Sequence, residues 1–231
     1  MVLANDQKLL ELMDSLDLHS WTAAACFGGK PEDYGKEHPA RFIGKMGRHA
    51  FNLGIKKITL SRNLIKDAIK FGVDLKEMNP TIAQKILDSI DRSTPKIRRI
   101  FQKLIEHKIK SSRILVNPFG FRRVFHGRIN DKLLREANSY IPQSTVTTVT
   151  KRAMLQMRKD FPHIPILLEW HDSMLLEVPE KEVIVVAQAA KRYMEEPIHF
   201  NRCSIPRGTL VIPADVEVGE NFGAMKEIKC G

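Results

Sequence analysis

Between residues 166 and 178 the chain reads Ile166-Leu167-Leu168-Glu169-Trp170, then His171-Asp172, then Ser173 and Met174-Leu175-Leu176-Glu177-Val178. Two β-prone apolar runs separated by a short polar step predict two strands joined by a tight turn. A carboxylate at such a turn is held rigidly and directed away from the core, which suits a metal ion. A turn aspartate also occurs for local reasons, because its side chain accepts hydrogen bonds from nearby backbone amides. The pattern by itself leaves both roles open for Asp172.

Most of the remaining sequence has helical periodicity. Leu9, Leu10, Leu12, Met13 and Leu16 recur at helical spacing, and a second helical stretch spans Trp21 to Phe27 before Gly28-Gly29-Lys30-Pro31 breaks it. Pro39 opens a long basic helix reaching about Lys57, with Arg41, Lys45 and Arg48 expected on a common face. From Thr59 to Lys110 two or three more helices are expected, with breaks at Gly72, Asn79-Pro80 and Thr94-Pro95. Asn117-Pro118-Phe119-Gly120 is a turn signal between Arg113 to Val116 and Phe121 to Phe125, which predicts a short hairpin bearing Arg122 and Arg123. Asp131 to Arg158 predicts another long helix, which Pro142 must kink or interrupt and which Thr145 to Thr150 favour poorly. Val183 to Met194 reads as helix and Leu210 to Val218 as a final strand.

Charge narrows the class of partner. A formal net charge of +10 favours a polyanion, because neutralising phosphates releases condensed counterions, although an ordinary basic protein can carry the same excess. With 43% hydrophobic and 28% charged residues and no low-complexity tract, general disorder is excluded. Cys26, Cys203 and Cys230 are widely spaced and form no metal-binding pattern, so they read as reduced thiols of a cytoplasmic protein. No window approaches the roughly 18 apolar residues that a membrane span needs.

Trp170 to Val178 resembles the carboxyl-terminal catalytic hairpin of family A (DNA polymerase I type) DNA polymerases, usually V-H-D-E followed by hydrophobic residues. The match lies in the pair His171-Asp172; Ser173 stands where many members have glutamate, and Trp170 replaces a small apolar residue. Further matches follow in the order and approximate spacing of that family. Asp17-Leu18-His19-Ser20-Trp21-Thr22-Ala23 resembles D-x-H-x-x-T-A, whose histidine contacts the incoming nucleotide. Arg41, Lys45, His49, Asn52, Leu53 and Gly54 resemble the fingers helix R-x-x-x-K-x-x-x-F-x-x-x-Y-G, whose arginine and lysine bind the triphosphate. His49 and Leu53 depart from the aromatic residues of the commonest pattern, and histidine at the first position is a feature of viral branches. Arg135 to Thr145 resembles R-x-x-x-N-x-x-x-Q-G-T, with Arg135 and Gln143 at positions that contact the primer terminus and the duplex minor groove, where every base pair presents acceptors. Asn117 to Arg123 resembles the T-x-x-G-R-R turn, and Ile212 to Phe222 the closing strand and G-x-x-W ending.

This resemblance implies an α+β fold, with a mostly helical fingers subdomain over residues 1–127 and a partial palm with antiparallel sheet and long helices over 128–231. It implies nucleotidyl transfer from dNTPs to a primer 3′ hydroxyl on primer-template DNA. Asp172 and Lys45 are the expected catalytic residues, with Asp172 also the metal ligand. His19, Arg41, Lys45 and His49 would hold the nucleotide, and Arg122, Arg123, Arg135, Gln143 and His171 the DNA. Two Mg²⁺ ions are implied, yet the sequence contains one of the two expected carboxylates, since no D-x-S-x-x-E-x-R segment is present; Asp6, Asp14 and Asp17 are helix-surface or cap candidates. The expectation is therefore one chain of a split enzyme, inactive until a complementing chain supplies the first aspartate, further palm strands and the thumb. The alternative is a catalytically inactive remnant that binds DNA or a replisome component.

Overall fold

The computed structural model describes residue 4 and residues 17–70, 78–204 and 208–228. The helix expected over Leu9 to Leu16, the aspartates Asp6 and Asp14, the break at Gly72 and Cys230 lie outside the described residues. The described residues form an α+β fold of helices and two-stranded sheets. The chain divides into two compact units, Met1–Leu115 with Arg123–Ser139, and Val116–Arg122 with Tyr140–Gly231.

In the first unit the helices start where the sequence supplies a cap. Helix α1 (Leu18–Phe27) begins at Asp17, α2 (Pro39–Leu53) at His38 and α4 (Pro80–Ser93) at Asn79; each cap side chain accepts a backbone N–H of the first turn. Proline occupies the first position of α2 and α4, where its missing N–H costs nothing. Helix α2 stops at Leu53, short of the expected Lys57, because Gly54 takes a left-handed conformation (φ 76°) and turns the chain into α3 (Lys57–Lys70). A π-helical segment, Ile97–Gln102, runs directly into α5 (Lys103–Ser112).

Phe51, Leu60, Leu64, Ile90, Ile105 and Ile109 are fully buried, each contributing about 1.5–3 kcal/mol of apolar burial. The packing of α2 on its neighbours depends on two glycines three residues apart. A Cβ at Gly44 would lie 2.9 Å from Ala23 N and His19 O of α1, and one at Gly47 would lie 2.8 Å from the Ile86 side chain of α4. Arg48 is only 2% exposed. Its Nε donates to Thr22 Oγ1 at 3.2 Å and its terminal nitrogen to Thr94 Oγ1 at 2.5 Å, with the guanidinium 5.6 Å from the Trp21 ring centroid. The expected common face of Arg41, Lys45 and Arg48 is thus corrected: Arg48 turns inward and ties α2 to α1 and to the end of α4.

Strands β1 (Ile114–Val116) and β2 (Arg122–Val124) form a short sheet. Helix α6 (Asp131–Asp160) is uninterrupted through Pro142, so of the expected kink or interruption the interruption does not occur. The Thr145, Thr148 and Thr150 hydroxyls donate to carbonyls four residues earlier, at 2.6, 2.6 and 3.3 Å. They give those carbonyls a second partner, and the poor intrinsic propensity of the stretch is overridden.

In the second unit β3 (Ile166–Trp170) pairs antiparallel with β4 (Ser173–Leu176), Trp170 opposite Ser173, leaving His171-Asp172 as the turn. Met157 of α6, Ile164, and Val186 and Ala189 of α7 (Val183–Met194) form a buried cluster against which Ile166, Met174 and Leu176 pack. β5 (Ile198–His199) pairs with β6 (Thr209–Leu210), and β7 (Val216–Val218) with β8 (Lys226–Ile228). The single strand expected over Leu210 to Val218 is therefore two strands with an irregular link. Pro213 has no N–H to pair, and the Ala214 backbone is bonded by side chains instead: its N–H donates to Glu195 Oε1 at 3.0 Å, and its carbonyl accepts from Lys191 Nζ at 2.6 Å.

Gly44→Ala is expected to destabilise the chain by about 1–3 kcal/mol, because the clash is with backbone that cannot rotate away. Gly35→Ala, where an added Cβ meets nothing within 4 Å, should leave the thermal unfolding midpoint close to wild type. Equal midpoints for the two variants would contradict the close approach of α1 and α2.

Candidate active site

The first unit carries a charge cluster at α1 and α2. Four-residue spacing aligns Arg41, Lys45 and His49 along one stripe of α2. Arg41 is half-buried, while Lys45 and His49 are exposed. The gap left by Gly44 lets the first turn of α1 settle against this helix, which brings His19 into the field of Arg41, Lys45 and Arg48.

Asp17 organises the cluster. Its Oδ1 accepts the His19 backbone N–H at 2.8 Å, while Oδ2 accepts Arg41 Nε at 2.7 Å and the Ser20 hydroxyl at 3.1 Å. Burial works to raise the Asp17 pKa, but the hydrogen bonds from Arg41, His19 and Ser20 outweigh it and bring the carboxyl down to about 2. His19 moves below its usual 6.5, first through burial and then through Arg41, Lys45 and Arg48, with Asp17 opposing. Its ring is neutral at pH 7, and its buried Nδ1 has no hydrogen-bond partner among the described residues. Two cations and an imidazole on one face, with one carboxylate already engaged, have the chemistry to receive a multiply charged anion.

The second unit presents the turn carboxylate. His171 takes the left-handed conformation (φ 55°), its ring edge-on to Trp170 at 5.3 Å, and the Ser173 hydroxyl donates to the Trp170 carbonyl at 2.9 Å across the turn. Asp172 is exposed and makes no hydrogen bond or ion pair among the described residues, so its oxygens are open to a cation. No group of three or more His, Cys, Asp or Glu residues able to hold a metal occurs among the described residues. A single open carboxylate still fits Mg²⁺ as one ligand, since that ion commonly takes one or two carboxylates together with substrate phosphates. Beside the turn, a cavity of about 500 Å³ is lined by Asp172, Ser173, Met174, Leu176, Val186 and Val216, among others.

The residues expected to contact DNA are distributed over both units. Arg122 and Gln143 are exposed in the second unit with His171, and Gln143 is not buried as a capping role would require. The turn that carries Arg122 is anchored within that unit by Asn117 Nδ2 to Ser144 Oγ at 3.2 Å and by Tyr140 Oη to Phe121 O at 2.9 Å. In the first unit Arg135 is half-buried, while Arg123 lies 3.4 Å from Glu136 Oε2 and 4.8 Å from the Phe125 ring centroid. Sequence reading missed the Asp17–Arg41 pair and the small residue at position 44. An aspartate two residues before a histidine, and a glycine inside a basic helix, were the available signals.

The fold is that of a polymerase domain. The solved POL domain of Pol1 from M. smegmatis, in complex with DNA primer-template and dNTP, matches with a TM-score of 0.70 at 20% identity over 91% of this chain and 36% of that one. A model of DNA polymerase family A matches residues 2–224, and the chain belongs to that family. It is 26% identical to DNA polymerase I of Chloroflexus aurantiacus over 99% of this chain, and 26% identical to the thermostable DNA polymerase I of Thermus thermophilus over 94% of it. The chain spans about a quarter of the length of these relatives, 23% and 24%. No described helix is long and apolar enough to cross a membrane.

His19 should titrate below 6.5 in an NMR pH series. Asp17→Asn should lower its midpoint further, because Asp17 is the group that favours the charged ring. The unfolded chain binds this proton more readily than the folded one, so the associated stability is present above pH 6.5 and lost as pH falls below it. His19→Gln should flatten that limb. A His19 midpoint above 6.5 would contradict the cluster's electrostatics.

Proposed function

We propose that this chain supplies the nucleotide-gripping and metal-binding parts of a template-directed DNA polymerase that joins dNTPs to a primer 3′ hydroxyl. The observation that carries the reading is the gathering of His19, Arg41 and Lys45 at one face of α1 and α2. Arg41 offers a planar fork for phosphate oxygens and Lys45 a compact point charge one helical turn away. Lys45 would also neutralise charge on the departing pyrophosphate, and His49, one turn further along, would meet the sugar or base. His171 and Arg122, Arg123, Arg135 and Gln143 would hold the primer-template duplex, the arginines mainly through its backbone and Gln143 at minor-groove acceptors.

Asp172 would hold Mg²⁺ as one carboxylate of a two-ion site, and those ions, when bound, would polarise the attacking hydroxyl and stabilise the leaving pyrophosphate. The chain's own residues orient the triphosphate, exclude water from its phosphates and fix the primer end. The second carboxylate would come from polymerase sequence outside these 231 residues, which would also bring further palm strands and the thumb. Two features support that part of the reading. The 231 residues contain no D-x-S-x-x-E-x-R segment. Among the described residues β4 pairs only with β3 and β7 only with β8, and residues of β4 and β7 line the same cavity. His49 suits a phage-like member of the family.

One observation favours a second reading, a DNA- or replisome-binding remnant without catalysis. Ser173 uses its hydroxyl to close its own turn where many members offer a second acidic side chain.

Primer extension separates the two. The chain combined with the palm and thumb sequence that carries the first aspartate, and with Mg²⁺, should extend a primed template, and Asp172→Ala should abolish extension while leaving duplex binding intact. Lys45→Ala should lower kcat by about 10²–10³-fold, the scale seen when one preorganised charge-stabilising donor is removed. A mixture that binds primed DNA yet never extends it would establish the remnant reading.

A further inference from the structure

We infer that Asp17 is a positioning residue for nucleotide binding: by holding Arg41 through its Nε, it presents the terminal edge of the guanidinium to the triphosphate. This rests on the reading of the α1–α2 cluster as the triphosphate site.

The geometry is specific. Asp17 lies 24 residues before Arg41 in sequence, yet its Oδ2 meets Arg41 Nε at 2.7 Å. The same carboxylate is itself fixed on both oxygens, Oδ1 by the His19 backbone N–H at 2.8 Å and Oδ2 by the Ser20 hydroxyl at 3.1 Å. Ser20 is buried, and its single hydroxyl proton is shared between Asp17 Oδ2 and the Tyr34 carbonyl, the latter at 2.6 Å. The arginine is thus tied through a rigid helix start rather than to a mobile surface acid. Among the described residues its two terminal amino groups make no hydrogen bond, so the bidentate fork stays available.

A long arginine that must find one conformation on binding loses affinity to that ordering, and a partner that has already ordered it removes the loss. The opposing effect is repulsion between the Asp17 carboxylate and the phosphates. That carboxylate is already paired with Arg41, whose charge offsets it, and at 40% exposure the remaining repulsion acts through a high-dielectric surface. Preorganisation therefore dominates, and removing the carboxylate should weaken binding even though it makes the site more positive.

The test uses the purified chain and dTTP without divalent metal, titrated by calorimetry, with wild type, Asp17→Asn, Arg41→Ala and the double variant. Asparagine is as good a helix N-cap as aspartate, so Asp17→Asn removes the charge and keeps α1; Asp17→Ser serves as a second cap-preserving variant. Asp17→Asn should weaken dTTP binding about tenfold and cost nothing further in the Arg41→Ala background. A signal independent of ligand is the Arg41 Nε–H resonance, protected from exchange in the wild type and lost in Asp17→Asn. Binding by Asp17→Asn as tight as wild type, or an undiminished loss in the Arg41→Ala background, would overturn the inference alone. A wild-type chain that fails to bind dTTP would overturn the site reading and the inference together.

Discussion

The close approach of α1 to α2 at Gly44 is the contact on which the proposed nucleotide site depends. A helix pair separated by even one extra methyl at this point would carry His19 away from Arg41 and Lys45, because the atoms facing Gly44 are backbone atoms of His19 and Ala23. Arg48, one turn beyond Gly44 on α2, reinforces the approach from within by donating to Thr22 on α1 and Thr94 at the end of α4. Two arginines seven residues apart on one helix thus do different work. The buried Arg48 holds the helices together, and the half-buried Arg41 faces the cluster.

The turn carboxylate is presented by different means. His171 accepts a left-handed backbone that costs a non-glycine residue about 1–2 kcal/mol, and the Ser173 hydroxyl and the Trp170 ring brace it. Strain of this kind persists where the surrounding structure over-determines it and is commonly found at functional sites. Here it leaves Asp172 at the tip with no competing partner among the described residues.

Much of the fold was legible because its periodic segments are unambiguous. Val183 to Met194 is a helix over the expected residues, and the strand-turn-strand pattern around His171-Asp172 survives almost unchanged. What failed was set by contacts distant in sequence. Arg48 looked like part of an exposed basic face because periodicity assigns a face but not the polar partners, Thr22 and Thr94, that draw a cation inward. Leu210 to Val218 alternates like one strand, but Pro213 and the side chains of Lys191 and Glu195 claim its middle. Pro142 was expected to kink or interrupt its helix, and the helix passes through it without interruption. At the site, Arg41, Lys45 and His19 were readable from spacing and motif, whereas the hold of Asp17 on Arg41 joins residues that no local pattern connects.

The central claim is that the face of α1 and α2 around His19, Arg41 and Lys45 receives the triphosphate. The most direct measurement is a residue-resolved NMR titration of the isotope-labelled chain with a dNTP. The account predicts saturable shifts concentrated at residues 17–21 and 41–49, with little change at Lys103, Lys108 and Lys110, the exposed lysines of α5. Saturable binding whose shifts lie elsewhere and spare His19 and Arg41 would contradict it.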